Sequence, residues 1–147
     1  MGISVGDVIA IGRHRVVCEE DLYFVTFIGE TTVEDTWELD KIIRHYAKQG
    51  YLLCLGDITH AASMSHEARK LTAQLSRDLN CPGATALYGG SAVTRVLASL
   101  VLKAMTLIVR DMRLYSLFKT EAEARTWLAE QRPLLRAQRD GHRAASG

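Results

Sequence analysis

The chain has 147 residues, 48% of them apolar, enough to bury one substantial core as a single domain. Its formal net charge of +1 advertises neither nucleic acid nor an anionic membrane as a partner. The three cysteines, Cys18, Cys54 and Cys81, form no CxxC pair, which argues against a disulfide framework or a zinc knuckle and for a reducing cytoplasm.

The opening run MGISVGDVIAIGRHR lacks the basic start and long apolar stretch of a signal peptide. Val8 to Ile11 reads as an edge strand or an extension along the sheet, with the domain proper spanning residues 12–132. HRVVCE and LYFVTFIG then predict two antiparallel strands joined through Glu19-Glu20-Asp21. In the second, both alternating sets are mostly apolar, as in a strand covered on both faces. Thr32 starts the first helix, with Asp35 in a capping arrangement. Leu39, Ile42, Ile43, Tyr46 and Ala47 recur at helical spacing, with Trp37 one turn earlier near that side, and Gly50 ends the helix.

A buried strand, Tyr51–Ile58, leads through the loop THAASM to a helix capped by Ser65. Ala68, Leu71, Leu75 and Leu79 form its apolar stripe, and Asn80 with Cys81-Pro82-Gly83 stops it. ATALYGG is the next strand. The helix over 92–110 differs from the others: Arg95, Ser99, Lys103, Thr106 and Arg110 form one narrow polar stripe, and most of the remaining circumference is apolar. Covering one face of a sheet needs only about a third of a helix surface to be apolar. The surplus, carried by Val93, Val96, Leu97, Leu100, Val101, Leu102 and Met105, asks for a neighbouring helix, a subunit interface or a lipid-facing wall. Arg95 and Lys103 argue against a membrane span. A last strand, Leu114–Phe118, precedes a helix opened by Thr120 and Glu123, with Ala124, Trp127 and Leu128 on one face. The tail 133–147 is so poor in apolar residues that it reads as disordered.

Functional groups in open α/β sheets gather outside the carboxyl ends of the strands, which singles out Asp57, His60, Ser63 and Ser65. A nucleophilic serine needs a base within reach and an acid orienting that base, and no G-x-S-x-G elbow is present. The plain alternatives are Ser65 as a helix N-cap and Asp57 bracing a turn. Phosphate on Ser65 would be tolerated by the helix dipole, which makes that serine a sensible switch position. Tyr88-Gly89-Gly90-Ser91 lacks a phosphate-loop pattern and reads as turn geometry. The five histidines show no metal-ligand spacing, so no metal or cofactor is expected. Arg110 and Arg113 read as a solvated rim.

The order β-β-α-β-α-β-α-β-α predicts an α/β domain with a mixed central sheet and four main helices. Together with the phrases GRHRV, YLLCLGDI, SMSHEARK and FKTEAEARTWL, that order resembles the bacterial STAS/SEC14-like domains, relatives of the anti-sigma-factor antagonists of sporulation. The resemblance covers roughly Gly12 to Gln131. It implies a non-enzymatic regulatory module that binds proteins, and in the antagonists a serine after the aspartate-bearing strand is phosphorylated. Ser65 matches that place here, with Ser63 beside it, but the antagonists' Asp-Ser-Ser-Gly signature is replaced by Ala61-Ala62-Ser63-Met64-Ser65. The expectation is a cytoplasmic interaction module, self-associating through the third helix. The alternative is a SEC14-like carrier of a lipid or small apolar ligand.

Overall fold

A computed structural model describes residues 2–108 and 113–146 of the chain. Six strands form one sheet in chain order: β1 (Val8–Ile11), β2 (His14–Cys18), β3 (Tyr23–Thr31), β4 (Leu52–Met64), β5 (Gly83–Tyr88) and β6 (Arg113–Phe118). The first three are antiparallel, and β3 to β6 are mutually parallel. The segment Val8–Ile11 is therefore an edge strand. Parallel neighbours in chain order need crossovers, supplied by α1 (Val33–Ala47), α2 (His66–Asp78) and α3 (Ala92–Ile108). Crossovers of one hand carry all three helices to the same face of the sheet. The opposite face is left to α4 (Glu121–Ser146).

Two cores follow from the alternation of side chains along the strands. Val16, Val25, Cys54 and Ile42 belong to the core under α1, while Leu53, Leu55, Ala86 and Leu128 belong to the core under α4. β4 is the strand most fully buried on both faces; Leu53 and Leu55 are wholly inaccessible. Burial pushes the Cys54 thiol up to about 12, although a hydrogen bond from Tyr23 works the other way, so it carries no thiolate near neutrality.

Local signals behave as their chemistry requires at the helix starts. Thr32 Oγ1 accepts from the Asp35 amide at 3.1 Å, and Asp35 Oδ2 accepts from the Thr32 amide at 3.1 Å, closing a capping box. The phrase GRHRV has a structural role beside it. His14 is 4% exposed; its Nδ1 accepts from the Ile28 amide at 2.9 Å, and Nε2 lies 3.4 Å from Asp35 Oδ2. It thereby fastens the irregular part of β3 to the start of α1.

Several expectations are corrected. β4 runs on to Met64, so THAASM is strand rather than loop. Its extension pairs with β3 alone, Ile28 with His60 and Thr31 with Met64, across two register shifts. Gly29, at φ +73°, lies within that irregular pairing. Trp37 is half exposed rather than joining the apolar side of α1. Arg113 is buried, 8% exposed, and its Nε donates to the Cys81 carbonyl at 3.0 Å; it is not a solvated rim. Arg110 lies outside the described residues. The 133–147 tail is helical as far as Ser146. Its cohesion comes from arginines one turn apart that reach the β2–β3 turn and the α1–β4 turn, a contribution that an apolar count does not register.

Candidate functional site

Asp57 stands in the middle of β4, at the last position that pairs with β5, on the α4 side with Leu53 and Leu55, four and two residues before it. Its Oδ1 accepts from both the amide (2.9 Å) and the hydroxyl (2.6 Å) of Thr59, folding the carboxylate onto its own strand. Gly89, at φ +89°, lets the β5 turn approach this pair: a Cβ there would meet Thr59 Oγ1 and lie 3.3 Å from Asp57 Oδ1. Beside it Tyr88 Oη donates to Glu121 Oε1 at 3.1 Å, at the start of α4. Burial, the nearby Asp57 charge and that hydrogen bond raise the Tyr88 phenol, which stays protonated across the physiological range.

His60 is exposed immediately after Thr59, and among the described residues no hydrogen bond joins it to Asp57, Ser63 or Ser65. A base without its orienting acid and without a serine in reach does not form a triad. The grouping of Asp57 with His60 at one strand end is thus not a single constellation: Asp57 braces a turn.

Ser65 is half-buried at the N-cap of α2, with Oγ accepting from the Ala68 amide at 3.1 Å, and its own amide directed at the Thr31 carbonyl at 3.4 Å. Ser63 is exposed on the β4 extension. Loss of the cap in Ser65→Ala is expected to cost about 1 kcal/mol, with Ser65→Asp retaining most of it because aspartate caps and suits the dipole. Urea unfolding of the two variants checks this; equal stability of Ser65→Ala and wild type would contradict it.

The third helix carries its apolar surface outward. Val93 (69%), Val96 (61%), Leu97 (59%) and Leu100 (59%) are exposed, whereas Val101 and Leu102 are half-buried. Arg95 and Ser99, from the predicted polar stripe, are half-buried too, and Arg95 Nη1 donates to the Gly90 carbonyl at 3.1 Å. Lys103 is exposed. The side chains of Met105 and Thr106 lie outside the described residues. Exposed positions 93, 96, 97 and 100 have the spacing of one helical face.

Two charged side chains escape a reading of the sequence. Asp40 interrupts the inward face of α1 and is 6% exposed; Arg113 begins β6. The signal available for Asp40 is its spacing, four residues after buried Thr36 and two before buried Ile42. Among the described residues no group of histidine, cysteine and carboxylate side chains has the makings of a metal site, and no helix is long and apolar enough to cross a membrane.

This architecture has a solved counterpart. An uncharacterized protein of the DUF3478 family with a SpoIIAA-like fold, from Shewanella loihica PV-4, superposes with a TM-score of 0.57 at 19% identity, covering 86% of this chain and 99% of its own. The chain therefore has a SpoIIAA-like, that is STAS-like, fold. No family model matches the sequence, and no curated protein matches it.

Proposed function

We propose that the chain is a regulatory protein–protein interaction module of STAS-like type that pairs with a second copy of itself across α3. The observation that carries this reading is the outward stripe of Val93, Val96, Leu97 and Leu100. A stripe of that kind loses free energy to water until something covers it. It bears no charge of either sign, so a two-fold contact that sets it against its own copy meets no like-charge penalty. Three free, buried thiols fit a reducing, cytoplasmic setting. Ser65 is the modification position in this reading, since a phosphate there adds negative charge at the start of α2 without removing the helix.

Light scattering over a concentration series tests the pairing. Wild type is expected at about twice its 16.3 kDa chain mass, and Leu97→Glu at the single-chain mass with unchanged far-UV circular dichroism. A wild type that stays at one chain mass at every concentration, or a Leu97→Glu variant of unchanged mass, overturns the reading.

A further inference from the structure

We infer that the space between α1, α2 and the sheet is a binding site for a small monocarboxylate with an apolar body and a hydrogen-bond donor. The cavity measures about 160 Å³, and its apolar wall includes Val25, Leu39, Ile43, Leu75 and Leu79. No described residue of α3 lines it.

Two charged groups on this wall are left incomplete. Arg113 Nε donates to the Cys81 carbonyl, but its buried Nη2 has no partner among the described residues. Asp40 Oδ2 accepts from Arg44 Nε at 2.7 Å, while its buried Oδ1 has none. A buried polar atom without a partner is costly, and more so when it belongs to a charged group. Here one orphan donor and one orphan acceptor belong to residues that line the same largely apolar cavity. A guanidinium only donates, so its unfilled N–H calls for an anionic or carbonyl oxygen; the Asp40 carboxylate, its charge already met by Arg44, calls for a neutral donor such as a hydroxyl. Water would satisfy each atom singly and leave the Val25–Leu75 wall uncovered. A molecule carrying both complements on an apolar body satisfies all three demands.

Size narrows the class. An apolar cavity of about 150 Å³ accepts a benzene-sized molecule, so the occupant has about six to nine non-hydrogen atoms. The same volume leaves no room for the acyl chains of a membrane lipid. Burial pushes the Tyr115 phenol up, while the Arg113 charge and a hydrogen bond from Arg113 lower it, so the guanidinium acts at the cavity wall.

Titration calorimetry with hexanoate, 3-hydroxyhexanoate and hexylamine tests the assignment. Hexanoate is expected to bind with a dissociation constant on the order of 1 mM, the hydroxy acid several-fold tighter, and hexylamine not measurably. Arg113→Gln is expected to weaken hexanoate at least about tenfold. Because Arg113 also holds the Cys81 carbonyl, Ser76→Phe provides the second variant. It fills the cavity from half-buried α2 and leaves both charged groups in place, and is expected to abolish hexanoate binding while the protein keeps its melting temperature. Hexylamine binding as well as hexanoate, hexanoate heat unchanged by Ser76→Phe, or no heat from either acid at about 20 mM overturns the proposal.

Discussion

Truncating Leu53 to alanine is expected to remove about 3–4 kcal/mol of folding stability. Leu53 is wholly buried at the centre of the sheet, in the core that α4 closes. The loss exceeds the transfer free energy of the deleted carbons because the site cannot collapse. β4 is held on one side by β3 and on the other by β5, where Ala84 is the register partner of Leu53. Ala84, Ala86 and Ala124, already small, have no side chain with which to fill the gap. For a domain with a total stability of about 5–15 kcal/mol, that is a large share. In urea the midpoint falls with the slope unchanged. Leu97→Ala on exposed α3 serves as the contrast, expected within about 0.5 kcal/mol at concentrations too low for pairing. A Leu53→Ala loss below about 1 kcal/mol would mean that the core rearranges around the deletion.

Asp21→Ala is expected to be the most damaging change among the polar residues, costing about 2 kcal/mol and releasing the second half of α4. Arg132 grips Asp21 with two bonds, Nε to Oδ2 at 2.6 Å and Nη2 to Oδ1 at 2.9 Å, and Tyr51 Oη donates to the same carboxylate at 3.0 Å. Arg136 Nε donates to Tyr51 Oη, and Arg139 Nη1 to the Gln49 carbonyl, so successive turns of α4 are fastened to neighbouring sites. Burial pushes the Asp21 carboxyl up, but the bonds from Arg132 and Tyr51 and the charges of Arg132 and Arg136 outweigh it, so its pKa falls below the ordinary 3.8. A carboxyl lowered by folding contributes its full stability above its unfolded pKa and loses it as pH falls through the folded value. Wild type should therefore lose stability below about pH 4 more steeply than Asp21→Ala. Limited trypsin digestion is the second readout: cleavage at Arg136, Arg139 and Arg143 should accelerate in the variant. Unchanged cleavage there would show that α4 holds its place without the clasp.

The fold was largely legible because its rules are local. Thr32 with Asp35, and Ser65 before its helix, announce helix starts through side-chain oxygens that reach only three residues ahead. The candidate site was legible only in part. Ser65 stands where cap chemistry places it, but Asp57 lies mid-strand because β4 runs on past it, and the sequence does not show that Asp57 spends its carboxylate on Thr59. Composition misjudged the 133–147 tail because its docking is polar and reaches more than a hundred residues back, from Arg132 to Asp21. Pro133 reinforced that misreading, since it withdraws a helical N–H, but a single missing bond does not end a helix anchored on both sides of it.

By itself, then, the sequence determined the alternation of strand and helix, the mixed α/β class and the unusual apolar surplus of α3. Each of these is written in neighbouring residues through periodicity, capping and turn chemistry. Tertiary structure alone decided which face of α3 looks outward, because the direction depends on what the sheet and α2 leave uncovered. It alone turned Arg113 inward, and it alone brought Arg113 and Asp40, 73 positions apart in the chain, to one cavity. Long-range juxtaposition of that kind is fixed by packing, and no local spacing encodes it.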